Sequence, residues 1–143
     1  DSSIIGCSVL SISDGANGDG HGIKLDGANR SGVQNCQVYN VDGHGIYVKD
    51  AAADRVSGCD IRQYSVAAST FAGVRLESAA TANLGLIVDG NKFDKGTSTP
   101  QYDIHSDATW QYVQYVNNNA RSGLRTSSLG GGTGEVSANN ISI

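Results

Sequence analysis

Charged and hydrogen-bonding residues recur at one position of a short repeated pattern, glycine–apolar–any–apolar. In a β-strand the two apolar residues point to one side and the residue between them points to the other. The intervening residues are Lys24, Tyr47, Arg75, His105 and Arg125. Two positions further along the chain lie Asp26, Lys49, Glu77, Asp107 and Ser127. Cations can bind an anionic group and carboxylate, imidazole or phenol groups can move a proton, so these positions are candidates for acid–base chemistry.

The same positions also fit a solvated face without chemistry. Asp26, Lys49 and Glu77 alternate in charge, and exposed ion pairs of this kind contribute at most about 1 kcal/mol each. Both interpretations stay open at this point.

Two histidines stand in identical contexts, Asp-Gly-His-Gly-Ile, at His21 and His44. Glycine on both sides of each histidine predicts a tight bend, in which the backbone φ can be positive. The alternative to a functional role is that Asp19 with His21, and Asp42 with His44, order a turn.

A second repeat, apolar–any–any–Cys/Asn–any–apolar, keeps step with the first. Its fourth place holds cysteine or asparagine, except in one weak copy, and the keyed positions are Cys7, Cys36, Cys59, Asn91, Val116 and Asn139. The keyed positions are 23 to 32 residues apart. Two short strands with variable turns would account for a unit of about 24 residues, and such units bury their apolar faces only by stacking.

The repeat therefore predicts an all-β fold, a parallel β-solenoid of about five to six coils. Ile23, Ile46, Val74 and Ile104 are expected to stack inside it. Composition excludes several other classes: the 19 glycines oppose a helical bundle, and the net charge of −4 lacks the basic bias of nucleic-acid binders. No apolar run approaches the length of a membrane span.

Stacked coils place equivalent residues in columns. Asparagines in the keyed column can build a ladder of side-chain hydrogen bonds between coils. The cysteines are expected to be reduced and buried there as small apolar residues. They lack the paired spacing of a zinc motif, so neither a metal site nor a cofactor is expected.

With its two DGHGI stretches and its Cys/Asn column, nearly the whole chain resembles the right-handed single-stranded parallel β-helix of the pectate-lyase-like superfamily. The resemblance implies a polysaccharide-binding and polysaccharide-degrading domain, as in secreted lyases, hydrolases and epimerases and in viral tail spikes. A GHG motif contributes to the active site in the polygalacturonase branch. The Asn-Thr-Asp, Asp-Asp and Arg-Ile-Lys pieces that accompany it there are absent from this sequence.

Two chemistries fit the outward columns. Elimination on a uronic acid needs a cation, for which Arg75 or Lys24 is available, and a base, for which Tyr47 or His105 is available. Hydrolysis needs two carboxylates: Glu77 and Asp107 would lie at the retaining distance of about 5 Å, and Asp26 and Glu77 near the inverting distance. Arg125 and Asp26 would help to bind the substrate.

The alternative is a non-catalytic structural or adhesive solenoid segment. An ice-binding solenoid is disfavoured because no threonine column appears. Trp110, Tyr112 and Tyr115 predict either a sugar-stacking platform or a cap over the core.

Residues 1–143 are interpreted as one β-helix domain, expected to be a piece of a larger protein or an oligomer, because solenoid ends expose open strand edges. The expected partners are a polysaccharide, acidic ones included, and a homotrimer or flanking domains. No nucleic-acid partner and no membrane span are expected. The implied location is extracellular, secreted or on a virion surface.

Overall fold

The computed structural model describes residues 2–14, 19–50, 55–67, 70–77, 85–98, 102–106, 113–120, 126–127, 136–138 and 140–142. Every regular element in these ranges is a β-strand. The strands are β1 Ser2–Ile5, β2 Ser8–Ile12, β3 Ile23–Asp26, β4 Ser31–Gln34, β5 Gln37–Val41, β6 Ile46–Lys49, β7 Arg55–Ser57, β8 Asp60–Arg62, β9 Ala72–Glu77, β10 Ile87–Asp89, β11 Lys92–Asp94, β12 Tyr102–Ser106, β13 Gln114–Val116, β14 Asn119–Ala120, β15 Thr126–Ser127, β16 Val136–Ala138 and β17 Ile141–Ser142. Among the described residues there is no helix that could cross a membrane.

The strands form three sheets in which every third strand pairs in parallel. Sheet A has the order β1-β4-β7-β10-β13-β16, sheet B runs from β2 to β17 as β2-β5-β8-β11-β14-β17, and sheet C has the order β3-β6-β9-β12-β15. Each turn of the chain thus adds one strand to each sheet. The predicted all-β parallel solenoid is confirmed, but the coil contains three strands where the sequence pattern suggested two. Right-handed winding stays a prediction.

The Cys/Asn repeat marks the corner between sheets A and B. The residue before each keyed position has a left-handed backbone, with φ between 53° and 67° at Gly6, Asn35, Gly58, Gly90 and Asn117. Glycine and asparagine adopt this conformation most readily. The pattern therefore spans a bend between two strands, which explains why its apolar residues fall on either side of a Gly or Asn.

The keyed column is correct for its first four members and wrong for its last two. Tyr115 lies opposite Val88 and Ser137, so the register places Asn118 and Asn140 in line with Asn91. Val116 and Asn139 were assigned in their place because short apolar pairs cannot locate a register that variable turns shift. Asn139 itself lies outside the described residues.

The predicted ladder exists with these corrected members. Asn91 Nδ2 donates to Asn118 Oδ1 at 3.0 Å, and Asn118 Nδ2 donates to Asn140 Oδ1 at 3.0 Å. The same two amide groups also donate to Val56 O and Val88 O. Buried amides thus satisfy one another and the corner backbone from coil to coil, as buried polar groups must.

The core is the inner face of all three sheets. The predicted stack of Ile23, Ile46, Val74 and Ile104 is confirmed by register and by burial. Tyr115 is fully buried, so it belongs to the core and not to a sugar platform; Trp110 and Tyr112 lie outside the described residues.

All three cysteines are free, as predicted. Cys36 and Cys59 are buried, but the expectation for Cys7 is wrong because that residue is exposed. Cys7 lies between β1 and β2, the outermost described strands of sheets A and B, where no described coil covers it.

Candidate functional site

Sheet C places the predicted outward residues side by side. Lys24 pairs with Tyr47, Tyr47 with Arg75, and Arg75 with His105, so the column is correct through its fourth member. Asp26, Lys49 and Glu77 are likewise in register.

The fifth member of the column is wrong. Ser127, and not Arg125, lies opposite His105. The last copy of the pattern is therefore displaced by two residues, which also removes Ser127 from the second column. Arg125 and Asp107 lie outside the described residues, so the predicted pairing of Glu77 with Asp107 stays a prediction.

The face is not uniformly open, because Tyr47 is only 8% exposed. His21 and His44 stack with their ring centroids 5.0 Å apart and their planes at 22°. The Tyr47 ring lies 4.8 Å from His21 and 5.3 Å from His44, while Phe71 meets His44 edge-on at 5.0 Å. The two DGHGI histidines and the column residue Tyr47 thus form one cluster. The sequence pattern alone treats them as two separate groups.

Backbone N–H groups hold both imidazoles in one tautomer. His44 N donates to His21 Nδ1 at 3.1 Å, and Ala72 N donates to His44 Nδ1 at 2.9 Å. Each neutral ring therefore carries its proton on Nε2 and is a hydrogen-bond donor there. Burial lowers the pKa of His21 and lowers that of His44 to about 3, where the neighbouring His21 and Arg75 act in the same direction. Both histidines are neutral donors at neutral pH.

The glycines beside these histidines permit close approach of neighbouring coils. None of Gly20, Gly22, Gly43 and Gly45 is among the positive-φ residues, so these glycines are not there to allow a left-handed backbone. A Cβ on Gly43 would lie 2.6 Å from His21 Nδ1, and one on Gly45 would lie 2.5 Å from Ile61 Cγ2 and 2.6 Å from Gly73 O. Gly43 thus leaves room for the His21 ring, and Gly45 lets its coil approach the backbone of the next coil.

Asp42, the aspartate of the second DGHGI stretch, binds the preceding coil. Asp42 Oδ2 accepts from Ser13 Oγ at 2.8 Å and from Asp14 N at 3.2 Å. In the second DGHGI stretch the aspartate thus fastens the preceding coil and the histidine joins the cluster, while the ordering role of Asp19 stays a prediction.

Glu77 is held by two neighbours. Tyr47 donates a hydrogen bond to its carboxylate, and Arg75 Nη2 lies 3.5 Å from Glu77 Oε2. Burial, followed by this hydrogen bond, raises the pKa of Tyr47 to about 12. Tyr47 therefore stays protonated at neutral pH and is a poor base, which leaves His105 as the better of the two predicted bases.

Arg75 has hydrogen-bonding capacity to spare. Its side chain is 15% exposed, and its buried Nη1 has no hydrogen-bond partner among the described residues. An unpaired guanidinium N–H carries a desolvation cost, and an anionic acceptor would remove that cost once the partly exposed side chain turns Nη1 toward the outer face. This is the strongest indication of a ligand on sheet C.

The ends of the column differ in character. Lys24 is exposed, pairs with Asp26 at 3.1 Å and lies 5.5 Å from the centre of the Tyr47 ring. At the other end His105 contacts the Tyr102 ring at 4.8 Å. The cluster thus offers cations and neutral donors in one row, with carboxylates beside them. No group of three metal-binding side chains occurs in the described ranges.

Comparison with known proteins adds the fold and little more. No family model and no curated protein matches the chain. A crystal structure from Parabacteroides merdae, of a protein named as a putative glycosyl hydrolase, is similar with a TM-score of 0.74 over 98% of this chain and 71% of that one. The identity is 12%, so the similarity shows a shared solenoid. Membership of the pectate-lyase-like superfamily stays a prediction.

Proposed function

We propose that the chain binds an acidic polysaccharide along the outer face of sheet C and cleaves it. The carrying observation is the buried Nη1 of Arg75, which has no partner within the part of the chain that the structure describes and lies in a row of donors that the parallel register spaces about 4.8 Å apart. A row of this kind suits a polymer with repeated acidic groups. The fold shared with a protein named as a putative glycosyl hydrolase supports a carbohydrate ligand.

Elimination is the reaction that this arrangement favours. Arg75 would bind the uronate carboxylate and stabilise the charge that develops when the C5 proton leaves. His105, on the adjacent strand opposite Arg75, would accept that proton. The C4–O4 bond then breaks, a C4=C5 double bond forms, and the leaving oxygen takes a proton. The histidine Nε2–H groups would donate to sugar oxygens, while the Tyr47 hydroxyl, whose proton goes to Glu77, would accept from a sugar hydroxyl.

Hydrolysis is supported by the carboxylates instead. Asp26 and Glu77 occupy one column with Lys49 between them, so two strand spacings separate their Cα atoms by about 10 Å. The carboxyl groups of inverting glycosidases lie about 6.5–9.5 Å apart, a range that these two side chains would reach if they lean toward each other.

Incubation with acidic and neutral polysaccharides distinguishes these reactions. Rising ultraviolet absorbance from the unsaturated product indicates elimination, and new reducing ends without it indicate hydrolysis. Arg75→Ala and His105→Ala should each lower turnover about tenfold or more. Arg55→Ala is the matched control, because Arg55 is a paired surface arginine on sheet A, 3.0 Å from Asp89. Equal activity in all three variants would contradict the sheet C site.

A non-catalytic structural or adhesive segment is the second candidate. The charges on sheet C are compensated within single strands, Lys24 by Asp26 and Arg75 by Glu77. A face of this kind needs no ligand. Absence of cleavage together with unchanged glycan binding in Arg75→Ala would favour this candidate.

We also propose that the protein acts outside the cell or on a virion surface, where such polymers occur, and that further protein covers the β1–β2 end of the stack. Ile5 is 59% exposed there and Cys7 is exposed. Trimers or flanking domains would cover them. Light scattering that shows a monodisperse monomer of these 143 residues would count against this proposal.

A further inference from the structure

The outer face of sheet B contains a cavity that the sheet C site does not use. Its volume is about 220 Å³, and it is lined by Leu10, Gln37, Val38, Tyr39, Asp60 and Arg62. All six belong to β2, β5 and β8, which are neighbours in sheet B.

The cavity has an apolar side. Leu10 and Tyr39 are directly opposite each other in register, and Arg62 follows opposite Tyr39. Leu10 is 62% exposed and Tyr39 is 42% exposed. An exposed aromatic ring beside an exposed leucine costs solvation free energy unless a ligand covers it. The two side chains form a platform of about two strand widths.

The opposite side is polar and carries no net charge. Gln37 and Asp60 are in register two residues before the apolar column. Arg62 holds Asp60 through Nε at 2.8 Å and through Nη2 as well. Each oxygen of Asp60 therefore accepts one hydrogen bond from Arg62 and keeps a further lone pair for a ligand. The Gln37 carboxamide supplies both a donor and an acceptor.

We propose that this cavity binds a single neutral pyranose ring of a glycan. The ring's apolar C–H face would pack on Tyr39 and Leu10, while neighbouring hydroxyls would donate to Asp60 and exchange hydrogen bonds with Gln37. The internal Arg62–Asp60 pair disfavours an anionic sugar, because the cation is already neutralised. The volume lies below the roughly 300–1,000 Å³ of sites for larger small molecules, which limits the occupant to one ring. This subsite lies on another sheet and does not depend on the reaction proposed for sheet C.

The test is an NMR titration of the intact chain with methyl β-D-glucopyranoside, methyl β-D-galactopyranoside, methyl α-D-mannopyranoside and sodium glucuronate. We expect at least one neutral glycoside to shift the backbone amides of Gln37, Tyr39, Asp60 and Arg62 at millimolar concentration. Glucuronate should leave these amides unshifted.

Matched variants assign the effect to the platform. Tyr39→Ala should weaken binding about tenfold, Tyr39→Phe should retain most of it, and Arg55→Ala on sheet A should not change it. Tyr39 is exposed, so its replacement should not unfold the chain. The proposal is overturned if no neutral glycoside shifts these amides, if Tyr39→Ala binds as well as wild type, or if glucuronate alone binds there. Loss of polysaccharide cleavage in Arg75→Ala, with these shifts intact, would keep the two sites distinct.

Discussion

Acid should destabilise this protein through the stacked histidines. His44 is 8% exposed, and its Nδ1 accepts the Ala72 N–H. Burial disfavours the charged imidazole and is the main reason why the pKa of His44 is lowered from 6.5 to about 3, and the neighbouring His21 and Arg75 act in the same direction. Protonation would also remove the acceptor of the Ala72 N–H. The unfolded chain, by contrast, binds the proton at the ordinary pKa.

The sign and the size follow from proton linkage. Below about pH 6.5 the unfolded state binds a proton that the folded state does not bind. The free energy of unfolding therefore falls by about 1.4 kcal/mol for each unit by which the pH is lowered. The loss continues to the folded pKa near 3 and then stops. It therefore amounts to about 3 kcal/mol between pH values of about 6 and 4, a large share of the total stability of a small domain. His21, whose pKa is also lowered, acts in the same direction.

Urea unfolding measured at a series of pH values tests this prediction, with His44→Asn as the partner variant. The asparagine Oδ1 can accept the Ala72 N–H but does not titrate. The variant should be less stable than wild type at neutral pH because ring packing is lost. Between about pH 6.5 and pH 4 its free energy of unfolding should fall less steeply, because nearly one proton fewer is taken up on unfolding. Parallel profiles for the two proteins would refute the assignment to His44.

Three further outcomes are expected. Asn118→Ala removes a fully buried amide that hydrogen-bonds the side chains of Asn91 and Asn140 and the backbone carbonyl of Val88, and should cost about 3 kcal/mol or more in urea unfolding; a loss below about 1 kcal/mol would contradict the ladder. Gly45→Ala should destabilise by about 3 kcal/mol because its Cβ meets backbone, whereas Gly27→Ala, with φ of 62° and open space around it, should cost only about 1 kcal/mol. Cys7 should react with a thiol reagent in the native protein, while Cys59, whose pKa burial raises to about 11, should react only after unfolding; equal rates would refute this difference.

The repeat spacing was sufficient to predict the solenoid and most of the outward column. Stacked coils repeat one backbone geometry, so residues that recur after each glycine–apolar–any–apolar copy must face the same side. For that reason Lys24, Tyr47, Arg75 and His105 could be aligned from their local patterns.

Register in the later coils was decided only by the tertiary structure. Turns of varying length separate the strands, and a short apolar pair fits its neighbour equally well after a shift of one or two residues. The backbone hydrogen bonds choose Asn118, Asn140 and Ser127. Two strands per coil were predicted instead of three for a similar reason. The apolar–any–any–Cys/Asn–any–apolar pattern looks like one strand, but the bend at the Cys/Asn corner divides it into two.

The histidine cluster also depended on the fold. Its sequence signal, the duplicated DGHGI, was visible, but two residues 23 positions apart stack only when one coil lies directly on the next. Gly43 makes room for the His21 ring by lacking a Cβ, not by turning the backbone. The same packing buries Tyr47 and raises its pKa. Burial is a property of the neighbours in space, so local sequence could identify these residues as polar and outward but could not assign their protonation.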